Sequence, residues 1–465
     1  MKYWFCAAIL AGSLLSISVA KGANVVWVSS TQSQRWQTQS APTLVADDPS
    51  NPPNVLVVPS KTYQTIDGFG GCFNELGWVA LGKTSSANRT AVMSALFGDT
   101  GCAFTRARIP IGSSDFATNA YSLDDTAGDY ALANFSIARD QQLLIPYIQA
   151  AMAVRPGLQC WGSPWSPPAW MKNNNYYAGG SLNWNAQTLQ SYATYLARWV
   201  EEYRAAGINI YGLVPQNEPN IANNYPACIW SGTQLRDFIA NYLGPTLTNR
   251  NTNVELWFGI NGDPPNDGNN FNDRMTTVLE DPTANSFITG LGFQYDSQTQ
   301  IGSAHDLYPS KKLMQTESIC YSGANSWSDA QDLYANMKRY FDNGANAYFA
   351  WNMVLNETGL STWGWAQNAL VTVNSTSGAV TYNGEFYVYK HFSHYVKPGA
   401  TRVLSFGVWG NQIAFQNPDT SIVLVLSNTS TSSQSVRLAV NGWAGNNTIT
   451  ANLPASSFNT FIFTP

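Results

Sequence analysis

From Thr65 to Tyr389 short apolar runs alternate with amphipathic stretches, and this alternation restricts the fold more than any other feature. "CAFTRARIPI", "LQCWGSP", "INIYGLVPQ", "VELWFGI", "ITGLGFQY", "KKLMQTE" and "NAYFAWNM" read as strands, and "QTIDGFG" before them makes about eight. Between several of them lie helical patterns. "AQTLQSYATYLARWVEEYRAAG" repeats apolar residues every three or four positions and stops at Gly207. "SDAQDLYANMKRYFDNG" does the same, with Ser328 as the expected N-cap and Gly344 as the stop. Repeated strand–helix units imply parallel strands. No Gly-rich phosphate loop opens any of the helices, so a closed (β/α)8 TIM barrel fits better than an open nucleotide-binding sheet.

The tail changes character. After Thr401 come "RVLSFGVWG", "QIAFQN", "SIVLVLSN", "QSVRLAV", "TITANLP" and "FNTFIF", short alternating runs separated by Asn, Gly and Ser. They predict an appended antiparallel β-sandwich. "NVVWVSS" and "NVLVVPS", upstream of the barrel, are strand-like and are expected to complete it. The expected division is a signal peptide at 1–20, sandwich strands at 24–63, the barrel at 64–392 and the C-terminal sandwich at 393–465. The signal reading rests on Lys2, an apolar stretch from Tyr3 to about Leu15, and the small-x-small triplet Ser18-Val19-Ala20. That stretch is short of the roughly 20 residues a membrane span needs, so the expected address is secreted and extracellular, without a membrane span. Sequons at Asn88, Asn134, Asn356, Asn374, Asn428 and Asn446 suit a glycoprotein. Without Cys6, the five remaining cysteines allow at most two disulfides in a monomer, the expected state, and none has the C-x-x-C spacing of a zinc site.

Composition narrows the ligand. Charged residues are 11% of the chain, against an average of about 25%, and the net charge is −5, so nothing favours nucleic acid or an anionic membrane. Plentiful aromatics beside Asn, Ser and Thr suit a neutral polar ligand, sugars above all. Catalytic groups of such barrels sit at the C-terminal ends of strands. Glu218, in "LVPQNEPN", follows the fourth predicted strand, and Glu317, in "LMQTES", ends the seventh. Either alone reads as a turn residue or a salt-bridge partner. Together they can face each other across a ligand, which is what glycoside hydrolysis requires: one acid for the leaving oxygen and one carboxylate for the anomeric carbon. Separated by about 5–5.5 Å, such a pair gives retention of configuration. Asn217, beside Glu218, can donate to a sugar 2-hydroxyl.

The chain resembles the glucosylceramidase-type enzymes of glycoside hydrolase family 30. "QTIDGFGG", "RIPIGSSDF", "SPWSPPAWMK", "QNEPN", "QTES", "WNMVLN" and "YKHFSHYVKPGATRV" follow in the family's order over nearly the whole mature chain. The resemblance implies a retaining double displacement, with Glu218 as acid/base and Glu317 as nucleophile. It implies that Asp115 and Trp165 line the sugar subsite, that Trp351 forms its aromatic floor, and that Tyr225 bonds the nucleophile or the bound sugar. Arg108 would hold nearby carboxylates, including Glu317, in place. Plain turn, packing or ion-pair roles compete for each of these. The chain departs from the family pattern at two places. Gln294 replaces the usual His at the end of strand six, with Asp296 near a usual Tyr, and Gln294 is expected to donate to a sugar hydroxyl. Asn74 and Glu75 stand where a Thr-Asp pair is common. Glu75 is open between a subsite ligand and an ion pair with Arg106 or Arg108.

No cofactor and no metal are called for. His305, His391 and His394 lie away from strand ends, and no G-x-S-x-G, Walker or H-E-x-x-H motif occurs. The expected activity is a secreted retaining β-glycosidase cleaving a β-linked oligo- or polysaccharide, of β-1,6-glucanase or β-glucosidase type. A xylanase, β-xylosidase or β-fucosidase is the alternative. A non-catalytic glycan-binding protein is the reading of another class; loss of one catalytic acid would mark it, and both are present.

Overall fold

The computed structural model describes residues 24–464 except 43, 47, 261–270, 296, 319 and 444–447. The expected signal segment, Asp296 and Asn446 therefore lie outside the described residues. Eight strands close into a parallel barrel. In chain order they are Gly68–Cys72, Arg106–Ile111, Gln159–Pro164, Ile210–Leu213, Glu255–Gly259, Ile288–Gln294, Lys312–Glu317 and Ala347–Asn352. Most of their residues are buried on both sides, as expected of a parallel sheet with helices outside and side chains filling the middle. Trp161, Val214, Trp257, Met314 and Phe349 form part of that interior fill.

The first barrel strand begins later than its apolar run predicts. Residues up to Thr65 belong to a long outer strand, Val55–Thr65, and the barrel strand is "GFGGC". Close packing explains the glycines: a Cβ on Gly70 would lie 1.9 Å from the Arg106 carbonyl oxygen, which no side chain can tolerate. The helix after strand seven spans Trp327–Asp342, and its N-cap is Ser326, not Ser328. Ser326 accepts from the Asp329 amide while the Asp329 side chain accepts from the Ser326 amide, a reciprocal pair that Ser328 is placed too late to make.

Ten strands from both ends of the chain form the side domain. Asn24–Ser30 pairs antiparallel with Ser457–Thr464 along its whole length, and Val55–Thr65 pairs with Thr401–Phe406 and with Gln434–Val440. Val25, Trp27, Val57, Leu424, Leu438 and Phe461 make its own core. Ile413, Phe415, Val423, Val425 and Phe458, on alternate positions, pack instead into the barrel cluster. The junction is also hydrogen-bonded. The Trp327 indole donates to the Ser456 carbonyl at 2.9 Å, and the buried His391 ring bridges the Ser30 and Thr460 hydroxyls at 2.9 and 2.8 Å. Burial, with Lys390 and His394 nearby, pushes the His391 pKa down to about 3, so this ring is neutral and structural.

All five described cysteines are buried and unpaired. No helix among the described residues is long and apolar enough to cross a membrane. Of the sequons, Asn428 is 2% exposed and its amide donates to the Pro454 carbonyl at 2.7 Å, so the folded chain has no room for a glycan there.

Candidate active site

The C-terminal mouth of the barrel gathers the predicted side chains. Strand four ends at Leu213, earlier than the sequence pattern suggests, and Glu218 sits in the segment beyond it. That segment is pinned: the Val214 amide donates to the Gly162 carbonyl at 2.9 Å and the Asn217 amide to the Pro164 carbonyl at 2.8 Å. Glu218 has φ +43°, a left-handed conformation that L residues seldom adopt. Such a backbone persists only where its surroundings over-determine it. Here Pro219 follows, and Tyr225, Gln294 and Asn217 all reach the Glu218 carboxylate. The Tyr225 hydroxyl donates to Oε2 at 2.9 Å, the Gln294 amide to Oε1 at 2.7 Å, and the Asn217 amide lies 3.4 Å from Oε2.

Glu317 closes strand seven and pairs in register with Gln294 of strand six. Its Oε2 takes the Arg108 guanidinium at 2.6 Å, and its Oε1 accepts the Tyr295 hydroxyl at 2.7 Å. Burial pushes the Glu317 carboxyl above the ordinary glutamate range; the Arg108 charge and the hydrogen bonds from Tyr295 and Arg108 pull it back. Arg108 is fully buried, and its other nitrogens bond Asn217 Oδ1 at 2.7 Å and the Ser163 hydroxyl. The guanidinium carbon lies 4.5 Å from the ring centre of Trp165 and 5.3 Å from that of Trp351. Arg108 thus connects Glu317 through Asn217 to Glu218, while Gln294 joins the two from the strand-six side. Removing one partner of a buried ion pair like Arg108–Glu317 costs about 3–5 kcal/mol.

Trp165 and Trp351 stack at 5.1 Å between ring centres, and Phe116 meets Trp351 edge-on. These rings and Cys72, Cys320, Tyr225 and Tyr295 form one apolar cluster beneath the carboxylates. Asp115, in the loop after strand two, is 6% exposed and accepts no side-chain hydrogen bond among the described residues. Burial, with the Glu317 and Glu218 charges close by, drives its carboxyl well above the usual range. A buried acid that takes no side-chain donor among the described residues, beside two others, is suited to a ligand hydroxyl.

Three expectations change. Tyr225 bonds Glu218 rather than Glu317, because it rises from the loop that follows Glu218. Gln294 gives its amide to Glu218 rather than to an open subsite, and it is fully buried. Glu75 pairs with neither Arg106 nor Arg108. It accepts from Thr118 and holds Arg139 at 3.1 Å, tying the loop after strand two to the first helix, away from the carboxylates. The residue that bonds Glu317, Tyr295, was missed. It directly follows Gln294 in "FQY", so the strand-end address that singled out Gln294 also pointed to its neighbour.

Comparison with known proteins settles the class. The family model "Glycosyl hydrolase family 30 TIM-barrel domain" matches residues 66–396. The chain belongs to glycoside hydrolase family 30. The family's β-sandwich domain matches residues 399–461. This family 30 chain is 32% identical over 393 residues to "Putative glucosylceramidase 1" of Caenorhabditis elegans, covering 79% of this chain and 75% of that one. It is 28% identical over 367 residues to "Endo-1,6-beta-D-glucanase" of Neurospora crassa, covering 76% and 74%. Among solved structures, SrfJ from Salmonella typhimurium superposes with a TM-score of 0.86 at 28% identity, over 95% of this chain and all of that one. The family 30 chain is accordingly an O-glycoside hydrolase of a retaining family with a glycan substrate. No group of three or more His, Cys, Asp or Glu side chains placed to hold a metal ion occurs among the described residues.

Proposed function

We propose that this family 30 glycosidase is a secreted enzyme that hydrolyses β-linked glucans or glucosides by double displacement, with Glu317 as nucleophile and Glu218 as acid/base. The observation that carries the assignment is the contrast between the two carboxylates. Glu317 is held by a guanidinium and a phenol, partners that favour the ionised form a nucleophile needs. The donors described at the Glu218 carboxylate are neutral: a phenol and two amides. A group with neutral partners can take and release a proton without breaking an ion pair, which suits a residue that changes protonation in each half-reaction.

In the first half-reaction a Glu317 oxygen attacks the anomeric carbon while the Glu218 O–H protonates the departing glycosidic oxygen, leaving a glycosyl ester on Glu317. In the second, the Glu218 carboxylate removes a proton from water as that water attacks the same carbon, and Glu317 leaves as a carboxylate. Asn217, oriented by Arg108, presents its amide towards the reacting centre, where a 2-hydroxyl would sit. Asp115 and the Trp165–Trp351 pair would receive the polar edge and the apolar face of the bound sugar. The glucan preference is supported by the endo-1,6-β-glucanase among the relatives. Secretion is supported by the N-terminal apolar segment.

The test is a product profile by mass spectrometry on β-1,6-glucan, β-1,3-glucan, glucuronoxylan, xylo-oligosaccharides and aryl β-glucoside, xyloside and fucoside. Glucose or gluco-oligosaccharides with the anomer retained are expected. Release of xylose or fucose products alone would replace the glucan assignment. A folded protein silent across the panel would overturn it.

A further inference from the structure

The Glu218 side of the site carries an aromatic wall of two rings, and the preceding assignment uses only the hydroxyl of one of them. Tyr225, whose hydroxyl holds Glu218 Oε2, lays its ring against Trp365 with 4.9 Å between centres. Both rings are half-buried. Trp365 stands on the loop after strand eight, and that loop is built rather than loose. The Leu360 and Ala366 backbones bridge, the Ser361 amide donates to the Trp365 carbonyl at 2.7 Å, and the Gln367 amide donates to the Gly359 carbonyl at 2.9 Å. Gly359 and Gly364 turn the chain at positive φ. The Thr362 hydroxyl anchors the loop tip to the Ala117 carbonyl of the loop after strand two, and Asn352, at the end of strand eight, donates to Gln367. A half-exposed tryptophan held this firmly is a fixed surface.

We propose that Trp365, with Tyr225, forms the subsite for the leaving group, and that this subsite takes a sugar ring. The proposal rests on Glu218 being the acid/base. The residue that protonates the leaving oxygen must stand beside the departing group, so whatever leaves passes the ring attached to Glu218 by hydrogen bond. An aromatic face packs against the C–H face of a pyranose. The amides next to it fit the hydroxyl rim: Asn223 bonds the Tyr225 hydroxyl and is itself half-buried, and Asn224 is exposed beside it. An acyl chain would leave these amides without partners, so the combination favours a glycan over a lipid as leaving group.

The experiment compares Trp365→Ala and Trp365→Phe with the parent protein on three substrates. β-Glucosyl fluoride has a leaving group with no ring. A β-1,6-linked glucotriose places a sugar ring at the subsite. Octyl β-glucoside places an alkyl chain there. Trp365→Ala is expected to lose about tenfold or more in kcat/KM on the trisaccharide, relative to its loss on the fluoride. Trp365→Phe recovers most of that difference. Equal losses on fluoride and trisaccharide, or none on either, overturn the subsite. A larger loss on octyl glucoside than on the trisaccharide overturns the sugar-ring assignment. If the parent protein does not turn over the fluoride, the glucosidase reading itself fails and takes this inference with it. Turnover of the fluoride with a fully active Trp365→Ala on the trisaccharide removes the subsite alone.

Discussion

Glu385 should make this protein less stable as the pH rises from about 4.5 to about 7, and a single isosteric change should remove the effect. The side chain is 4% exposed on the first turn of the helix Gly384–Ser393, behind Trp351. Its Oε1 accepts from Asn368 at 2.6 Å, while its Oε2 has no partner among the described residues. Oε2, the Tyr389 hydroxyl and the Trp351 indole nitrogen, none with such a partner, belong to residues lining a cavity of about 20 Å³, room for about one water. Burial raises the Glu385 carboxyl from 4.5 to about 7; its own backbone amide, Asn368 and Arg35 oppose the shift, and Asp329 adds to it. The folded state therefore binds this proton more tightly than the unfolded chain. The stabilisation is fully present below pH 4.5 and is lost as pH rises through 7. At about 1.4 kcal/mol per unit, a rise from 4.5 to about 7 corresponds to about 3 kcal/mol. Glu385→Gln copies the protonated form in shape and charge. With an unfolding entropy of about 2 cal/mol/K per residue, its Tm should exceed that of the parent by about 3 °C at pH 8 and match it at pH 4. Calorimetry of both proteins across this range is the assay. A Tm difference that stays constant from pH 4 to pH 8 would refute the reasoning, because a packing change carries no proton.

Further predictions concern the reaction. Glu317→Gln should form no glycosyl-enzyme on any substrate, read by intact-protein mass spectrometry with a slowly hydrolysed 2-fluoro glycoside; a labelled variant would displace Glu317 from its role. Glu218→Gln should fall by about 100-fold or more on unactivated glycans but far less on dinitrophenyl glycosides, whose leaving group needs no proton. Equal losses on both would contradict an acid role. Tyr295→Phe removes a hydrogen bond that favours ionised Glu317, so the acidic limb of kcat/KM should move to higher pH, and an unmoved limb would mean that Tyr295 serves only packing. Gln294→Leu leaves Glu218 Oε1 without its amide donor and should lower kcat with KM little changed, whereas a rise in KM alone would return Gln294 to the sugar subsite.

Much of this was written in local pattern. The barrel follows from apolar runs spaced by helices, and the sandwich from alternating runs, because burial and backbone pairing both act through nearby residues. The strand-end address of Glu317 was equally legible, since a parallel strand delivers its last residue to the barrel mouth wherever the helices lie. Side-chain pairing was not. Glu75 could be given an arginine partner, but Arg139 comes from a loop whose path depends on packing against the first helix. Tyr295 directly follows a strand and Tyr225 lies in the long loop beyond Leu213, and which carboxylate each serves is decided by loop course. Glu218 lies five residues past the end of its strand, and the amide bonds from Val214 and Asn217 to strand three help bring it back to the mouth.

The pairing of Asn24–Ser30 with Ser457–Thr464 sets an order of events on the ribosome. Every barrel strand has been synthesised before residue 353, but the outer sheet lacks the strand that joins Asn24–Ser30 to Ile422–Asn428 until residues near 464 leave the exit tunnel. The upstream strand, whose other edge pairs with Gln37–Thr38, must wait with one edge open, and with Trp27 and Val25 uncovered, for the whole time that the barrel is being made. The same neighbourhood of the two ends means that a short linker could join Thr464 to Asn24 and that new termini could be opened in an exposed loop, giving a permuted chain in which that wait is abolished.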